Sequence, residues 1–219
     1  MVRFENELTP YQISAFRGAV IEKVGRENIL FNHHLSDDKY LYAYPLIQYK
    51  SIYKQSAIMC LGEGVDNIYK LFNSKDWVIN LQGDAIELKI DKLDLDNITL
   101  NVWDRPYDYR ITNWIALNTA NFQKFLDINS LKERCDMLER ILIGNIISFA
   151  KGVEWTIETE IKVNVSNIIR IRDIKYKGVP LVSFDVDFDC NVYLPNHIGL
   201  GKSVSHGYGI LKMIKKGEI

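Results

Sequence analysis

Leu46-Ile47-Gln48-Tyr49-Lys50 and the run from Ile52 to Leu61 read as the two strands of a hairpin, and Gly62-Glu63-Gly64 ends the pattern. Upstream, Thr9-Pro10 starts a helix, with Thr9 as N-cap and Pro10 at the first helical position. Ile13, Phe16, Val20 and Val24 recur at helical spacing, and Gly25 stops the helix. Arg17, at the edge of that apolar stripe, reads as a solvated helix charge. Val2 to Glu5 supplies a short strand ahead of it. Downstream, Val65, Ile68, Leu71 and Phe72 mark a short amphipathic helix, and Trp77 to Leu81 reads as another strand. The order is strand, helix, strand, strand, helix, strand, which is the split βαβ arrangement of ferredoxin-like domains. RNA-recognition domains share this order with many unrelated functions, so it does not decide what the chain does.

The rest of the chain repeats the class without a close internal sequence repeat. Residues 85 to 117 look like further strands. Ser130 opens the longest helix, with Glu133 completing a capping box. Leu131, Cys135, Leu138, Leu142 and Phe149 form its apolar face, and Gly152 ends it. Strands follow at Glu158 to Val165, Ile168 to Lys177, Leu181 to Cys190 and Tyr208 to Ile214. The expected fold class is α+β, with two tandem ferredoxin-like (RRM-like) βαββαβ domains. They are expected over residues 1–84 and 85–219, with the first carrying a His loop and the second a Gly-rich loop.

The chain has 219 residues, 47% of them hydrophobic, enough for a sizeable core. No apolar run approaches the length of a membrane span, and the N-terminus lacks a signal-peptide pattern. Cys60, Cys135 and Cys190 are odd in number and far apart, as in a reducing compartment. A cytoplasmic protein with no membrane partner is expected. No Cys or His pair has zinc-ligand spacing, so neither a metal nor a cofactor is expected. The net charge of −1 argues mildly against a general nucleic-acid binder. However, acids crowd Asp84 to Asp108, while bases gather at Arg170, Arg172, Lys175 and Lys177 and again at Lys212, Lys215 and Lys216. This distribution allows one basic face on a neutral protein.

Two stretches carry chemistry. Gly199-Leu200-Gly201-Lys202-Ser203-Val204-Ser205-His206-Gly207-Tyr208-Gly209 holds four of the 13 glycines. Its amides, the Lys202 cation and the donors Ser203, Ser205 and His206 suit a phosphate-bearing partner. A Walker A motif is rejected, because Asn196 stands where its first glycine belongs and no helix follows. A Gly-rich turn without a ligand is the competing reading. The second stretch runs from Leu30 to Pro45 and contains His33-His34 followed by Tyr40, Tyr42 and Tyr44 at alternate positions. Imidazole titrates near neutrality and can move protons. The same residues also read as loop polar groups beside one face of a strand.

Three segments together resemble a known family: Ala15-Phe16-Arg17-Gly18-Ala19, the His loop running into Tyr44-Pro45-Leu46-Ile47-Gln48-Tyr49-Lys50, and the loop Gly199 to Gly209. They are similar to the CRISPR-associated endoribonucleases of the repeat-associated mysterious protein (RAMP) superfamily, which cut precursor guide RNA within its repeats. The similarity spans nearly the whole chain. It implies two ferredoxin-like domains and metal-independent cleavage with histidine as general acid or base. The nearest branch reads Leu-Phe-His-Asn-His in the loop, where this chain has Leu30-Phe31-Asn32-His33-His34. His34 matches the last histidine, Asn32 stands in place of the first, and the downstream tyrosine is Tyr42 or Tyr40.

On this resemblance His34 is the principal acid or base, supported by His33, Tyr42 and Tyr40. Lys50 is a candidate for holding the scissile phosphate. Gly199, Gly201, Lys202, Ser203, Ser205 and His206 are candidates for RNA binding through the loop. Arg170 and Arg172 share a strand face along which RNA could track, and a solvated face explains them equally. The implied partner is CRISPR precursor (repeat) RNA, with other effector-complex subunits and a homodimer compatible. A non-catalytic RAMP-type RNA-binding subunit is the alternative; it would need the Gly-rich loop but not His33 or His34.

Overall fold

The computed structural model describes residues 1–32, 34–36, 39–40, 43–176 and 178–214, with the backbone alone for 34–36 and 39–40. The chain forms two compact units, Met1–Asn97 with Ser205–Gly207, and Ile98–Val204 with the chain from Tyr208 onward. Among the described residues no helix is long and apolar enough to cross a membrane.

The first unit begins with β1 (Val2–Glu7), followed by α1 (Ile13–Val24), α2 (Ile29–Asn32) and the short strands β2 (His34–Ser36) and β3 (Lys39–Tyr40). The hairpin β4 (Ile47–Ile52) and β5 (Gln55–Cys60) comes next, then α3 (Glu63–Asn67) and α4 (Tyr69–Phe72). The strands β6 (Val78–Leu81), β7 (Asp84–Glu87) and β8 (Ile90–Leu93) complete it. The main sheet has the order β4-β5-β1-β8, every pair antiparallel, which is the ferredoxin-like arrangement. Apolar residues of β1 and α1 meet over this sheet: the Phe4 and Phe16 rings lie 6.3 Å apart and Phe16 and Tyr49 6.0 Å, both edge to face.

Local chemistry explains where α1 starts and stops. A single 3₁₀ turn, Pro10–Gln12, precedes it, and Gln12 Oε1 accepts from the Thr9 amide at 3.1 Å. At the other end Gly25 leaves the helix at φ 96°, its amide still bonded to the Ile21 carbonyl.

The fourth strand of the sheet is not the one the sequence suggested. Val78–Leu81 turns back through Gln82-Gly83 and pairs with Asp84–Glu87 as a separate hairpin, with Ile79 and Leu81 in the core. The open edge of β1 is taken instead by β8 from the acidic stretch. Charge helps to select it: Arg3 pairs with Asp91 at 2.7 Å, and the N-terminal ammonium donates to the Asp94 carbonyl at 2.6 Å. The first unit therefore continues beyond residue 84, where the sequence had placed the boundary.

The second unit contains β9 (Val102–Trp114), α5 (Thr119–Asp127), α6 (Leu131–Gly152), β10 (Val163–Tyr176), β11 (Val179–Val192) and β12 (Ile210–Met213). Its antiparallel order, β10-β11-β9-β12, is again ferredoxin-like. Ser130 caps α6 by accepting from the Glu133 amide, and Leu138, Leu142, Ile146 and Phe149 are buried along one stripe. Phe184 lies 6.3 Å from Trp114, 6.3 Å from Phe122 and 5.4 Å from Phe125, centroid to centroid. The helix expected between the third and fourth strands is absent from residues 193–209. That stretch holds the Gly-rich loop and one 3₁₀ turn, Val204–His206, and buries Leu194, Ile198, Leu200 and Val204.

Candidate functional site

The His loop leaves α2 and re-enters the fold at β4, and both of its ends are fastened. At the entrance, Arg17 of α1 donates from Nη2 to the Asn32 carbonyl at 2.5 Å. The Tyr49 hydroxyl of β4 donates to the neighbouring Phe31 carbonyl at 3.4 Å. At the exit, buried Gln48 donates from Nε2 to the Tyr44 hydroxyl at 2.9 Å and to the Pro45 carbonyl at 3.0 Å. Burial raises the Tyr44 and Tyr49 hydroxyls above the usual phenol range, so both stay neutral donors and acceptors. Arg17 is thus a half-buried anchor and not the solvated charge the sequence suggested. Its place beside Phe16 at the edge of the apolar stripe was the available signal.

Within the loop, His34 and Tyr40 are Cα partners across the small β2–β3 ladder. His33 and Tyr42 lie outside the described residues.

Lys50 follows two residues after Gln48, on the same face of β4 by strand alternation. It is fully buried, and its ammonium nitrogen has no hydrogen-bond partner among the described residues. Desolvation pushes its pKa down to about 7. A lysine is almost never fully buried unless it is paired. An anion arriving at this nitrogen would supply the missing partner.

The Gly-rich loop is divided between the two units, with Ser205–Gly207 in the first and the flanking residues in the second. Within the second unit Gly201 sits at φ 94°, and a Cβ there would come within 2.6 Å of Trp114 Nε1. That indole donates to Asn145 Oδ1 of α6 at 2.9 Å, so the loop packs beside a helix of its own unit. At Gly209, φ 62°, a Cβ would lie 1.9 Å from the Leu200 carbonyl oxygen. Internal packing therefore already requires these glycines, whatever the amides of the loop bind. Gly199 bridges to Ile210, Lys202 is exposed and Ser203 is half-buried. In the first unit, His206 Nδ1 lies 3.0 Å from the Ser14 hydroxyl of α1, with Ser205 half-buried beside it.

The two strand arginines differ. Arg172 Nη2 donates to both oxygens of Asp185, each at 2.9 Å, and to Asn113 Oδ1 at 2.8 Å. Arg170 is 3.9 Å from the same carboxylate, with a side chain 59% exposed. Arg170 remains accessible to a ligand, whereas Arg172 is committed to a nearly buried aspartate. A neighbouring pair repeats the device, with Arg110 donating to both oxygens of Asp187 at 2.7 and 2.8 Å.

Two units, each with a four-stranded antiparallel sheet of ferredoxin-like order, define a tandem ferredoxin-like protein. Within that class, a family model of the Cas6b N-terminal domain matches residues 1–99, and one of the Cas6b C-terminal domain matches residues 101–214. The chain belongs to the Cas6b family. A solved structure described as Cas6b aligns at TM-score 0.81 and 26% identity, covering 97% of this chain and 98% of its own. Another, described as the CRISPR RNA processing endoribonuclease Cas6b, aligns at TM-score 0.66 and 24% identity, covering 97% and 99%, and supports the fold. An uncharacterised protein of Methanocaldococcus jannaschii is 35% identical over 152 residues, 68% of this chain and 95% of that protein.

Proposed function

We propose that this chain is an endoribonuclease that processes CRISPR RNA, cutting repeat RNA without a metal by attack of the substrate's own 2′-hydroxyl. Membership of the Cas6b family supports the activity. The observation that carries the chemistry is a loop bearing two histidines, fastened at both ends and leading into a strand with a buried lysine whose ammonium has no hydrogen-bond partner among the described residues. RNA brings its own nucleophile, so the protein must align it, move two protons and offset charge on phosphorus. The 2′-oxygen bonds to the adjacent phosphorus, the P–O5′ bond breaks, and a 2′,3′-cyclic phosphate and a 5′-hydroxyl result. His34 is the principal acid or base, assisted by His33 and by Tyr42 or Tyr40. Lys50 receives the scissile phosphate, an interaction strengthened because the ammonium is already out of water. The loop residues Gly199, Gly201, Lys202, Ser203, Ser205 and His206, together with Arg170, hold the RNA backbone, while Arg172 braces the sheet through Asp185.

Incubation with repeat-containing RNA in excess chelator tests this reading. Cleavage is expected, and an RNA with one 2′-deoxy sugar at the cut site should bind and remain intact. His34→Ala should slow cleavage at saturating RNA by about 100- to 10,000-fold with affinity unchanged. Cutting of the deoxy substrate at the same bond, or full activity in a folded His34→Ala His33→Ala variant, would overturn the assignment.

A further inference from the structure

The β4–β5 hairpin closes through a two-residue turn, Tyr53-Lys54, flanked by the pair Ile52 and Gln55. Both turn residues have positive φ, 54° and 65°. Such turns favour Asn-Gly or similar pairs, because a side chain with a Cβ is strained there. The same unit follows that preference in another tight hairpin, Gln82-Gly83. A tyrosine and a lysine are therefore an unusual pair for this turn. They hold a large aromatic ring and an ammonium at the surface, Tyr53 being 72% exposed and Lys54 exposed. The Arg3 guanidinium lies 5.8 Å from the centre of the Tyr53 ring.

A second exposed ring lies on a segment bonded to this tip. The Leu8 amide donates to the Lys54 carbonyl at 2.7 Å, and the Ser51 hydroxyl donates to the Leu8 carbonyl at 2.5 Å. The tip is thereby tied to the turn that carries Tyr11, three residues on, which is 95% exposed. One helical turn further, Ser14 meets His206 of the Gly-rich loop. Glu7, opposite Gln55, and Asp91, paired with Arg3, are acidic groups around the tip.

We propose that the strained Tyr53-Lys54 tip, with Tyr11 on the turn bonded to it, is a stacking site for unpaired bases of the bound RNA, outside the group that cuts it. This rests on the RNA-processing reading above. Aromatic faces next to cations are the means by which proteins hold single strands without reading their sequence. A protein partner would gain little from a cationic tip unless it were acidic, whereas RNA meets both the ring and the charge.

The test measures affinity for single-stranded repeat RNA at several salt concentrations. Tyr53→Ala should weaken binding about 5- to 150-fold, the range for loss of one stacked base, and Tyr53→Phe should retain it. Tyr11→Ala should act in the same direction. Lys54→Ala should lower the magnitude of the log–log salt slope by about 0.7. Replacing the turn by Tyr53→Asn with Lys54→Gly should raise Tm by a few degrees while weakening RNA binding, so the loss cannot come from misfolding. Cleavage at saturating RNA should stay at the wild-type rate in all of them. If wild-type protein binds and cuts but these variants bind as tightly as it does, the stacking site is overturned and the RNA-processing reading stands. That result would also be obtained if the tip served only to dock a protein subunit. If wild-type protein neither binds nor cuts repeat RNA, the functional reading itself fails, and this site with it.

Discussion

Lys50 shows most sharply how a single residue joins stability to activity. Its folded pKa of about 7 lies below the ordinary lysine value near 10.4, so between those limits the unfolded chain binds more protons than the folded one. Stability should therefore rise with pH from about 7 to 10, and the cost of the buried charge should be fully present below pH 7. Lys50→Met should flatten that rise and stabilise the protein at pH 6 by at most about 5 kcal/mol, at about 1.36 kcal/mol per pKa unit; urea denaturation across pH checks it. A phosphate at the nitrogen would raise the pKa again, so RNA affinity should fall as pH climbs above 7. Lys50→Arg, permanently charged, should lose that dependence. The lysine was visible in the sequence as a candidate, but its burial was not, because Tyr49-Lys50 alternates as any two-faced strand would.

At the level of elements, α1 and β4 act as clamps on the chain entering the His loop. Arg17→Ala should leave RNA affinity near wild type and lower cleavage at saturating RNA by about 10- to 100-fold, the cost of roughly an ångström of misplacement. An unchanged rate would mean that the Asn32 contact is only structural. The Gly-rich loop behaves differently. Gly201→Val would drive its side chain into Trp114 and Asn145 from a left-handed backbone, and should destabilise by about 2–4 kcal/mol in urea unfolding. Loss of RNA binding in that variant would say little about phosphate recognition, so Lys202→Ala is the more informative change. The clustering of glycines was legible in sequence. The cause was not, since Trp114 and Asn145 lie far upstream of Gly201.

Across the whole molecule, the functions should separate by how they fail. Lys202→Ala and Arg170→Ala should each reduce the salt slope of RNA binding by about 0.7, with cleavage at saturation retained. Arg172→Ala, by contrast, should remove both short guanidinium bonds to Asp185, leaving it the Asn113 amide and the more distant Arg170, and lower stability by about 1–3 kcal/mol while barely moving the slope. Titration of RNA affinity against salt, beside thermal melts, distinguishes the two arginines, which strand alternation alone had made equivalent.

The sequence by itself determined the tandem ferredoxin-like class. Helical spacing in Ile13, Phe16 and Val20, the two hairpin strands within residues 46–61 (whose turn falls at Tyr53-Lys54 and not at Ser51) and the Ser130 cap are local signals, and local signals are what periodicity and capping record. It also marked the His and Gly-rich stretches, because those residue types are unusual in such density. Only the tertiary structure decided that β8 and not Val78–Leu81 closes the first sheet, that Arg17 and Tyr49 hold the entrance of the His loop, and that the buried Lys50 ammonium has no hydrogen-bond partner among the described residues. Each depends on groups distant in the chain: β1 meeting β8, α1 meeting α2, and a strand face being covered. Pairing and burial between remote segments are set by the packing of the whole unit, which no window of sequence contains.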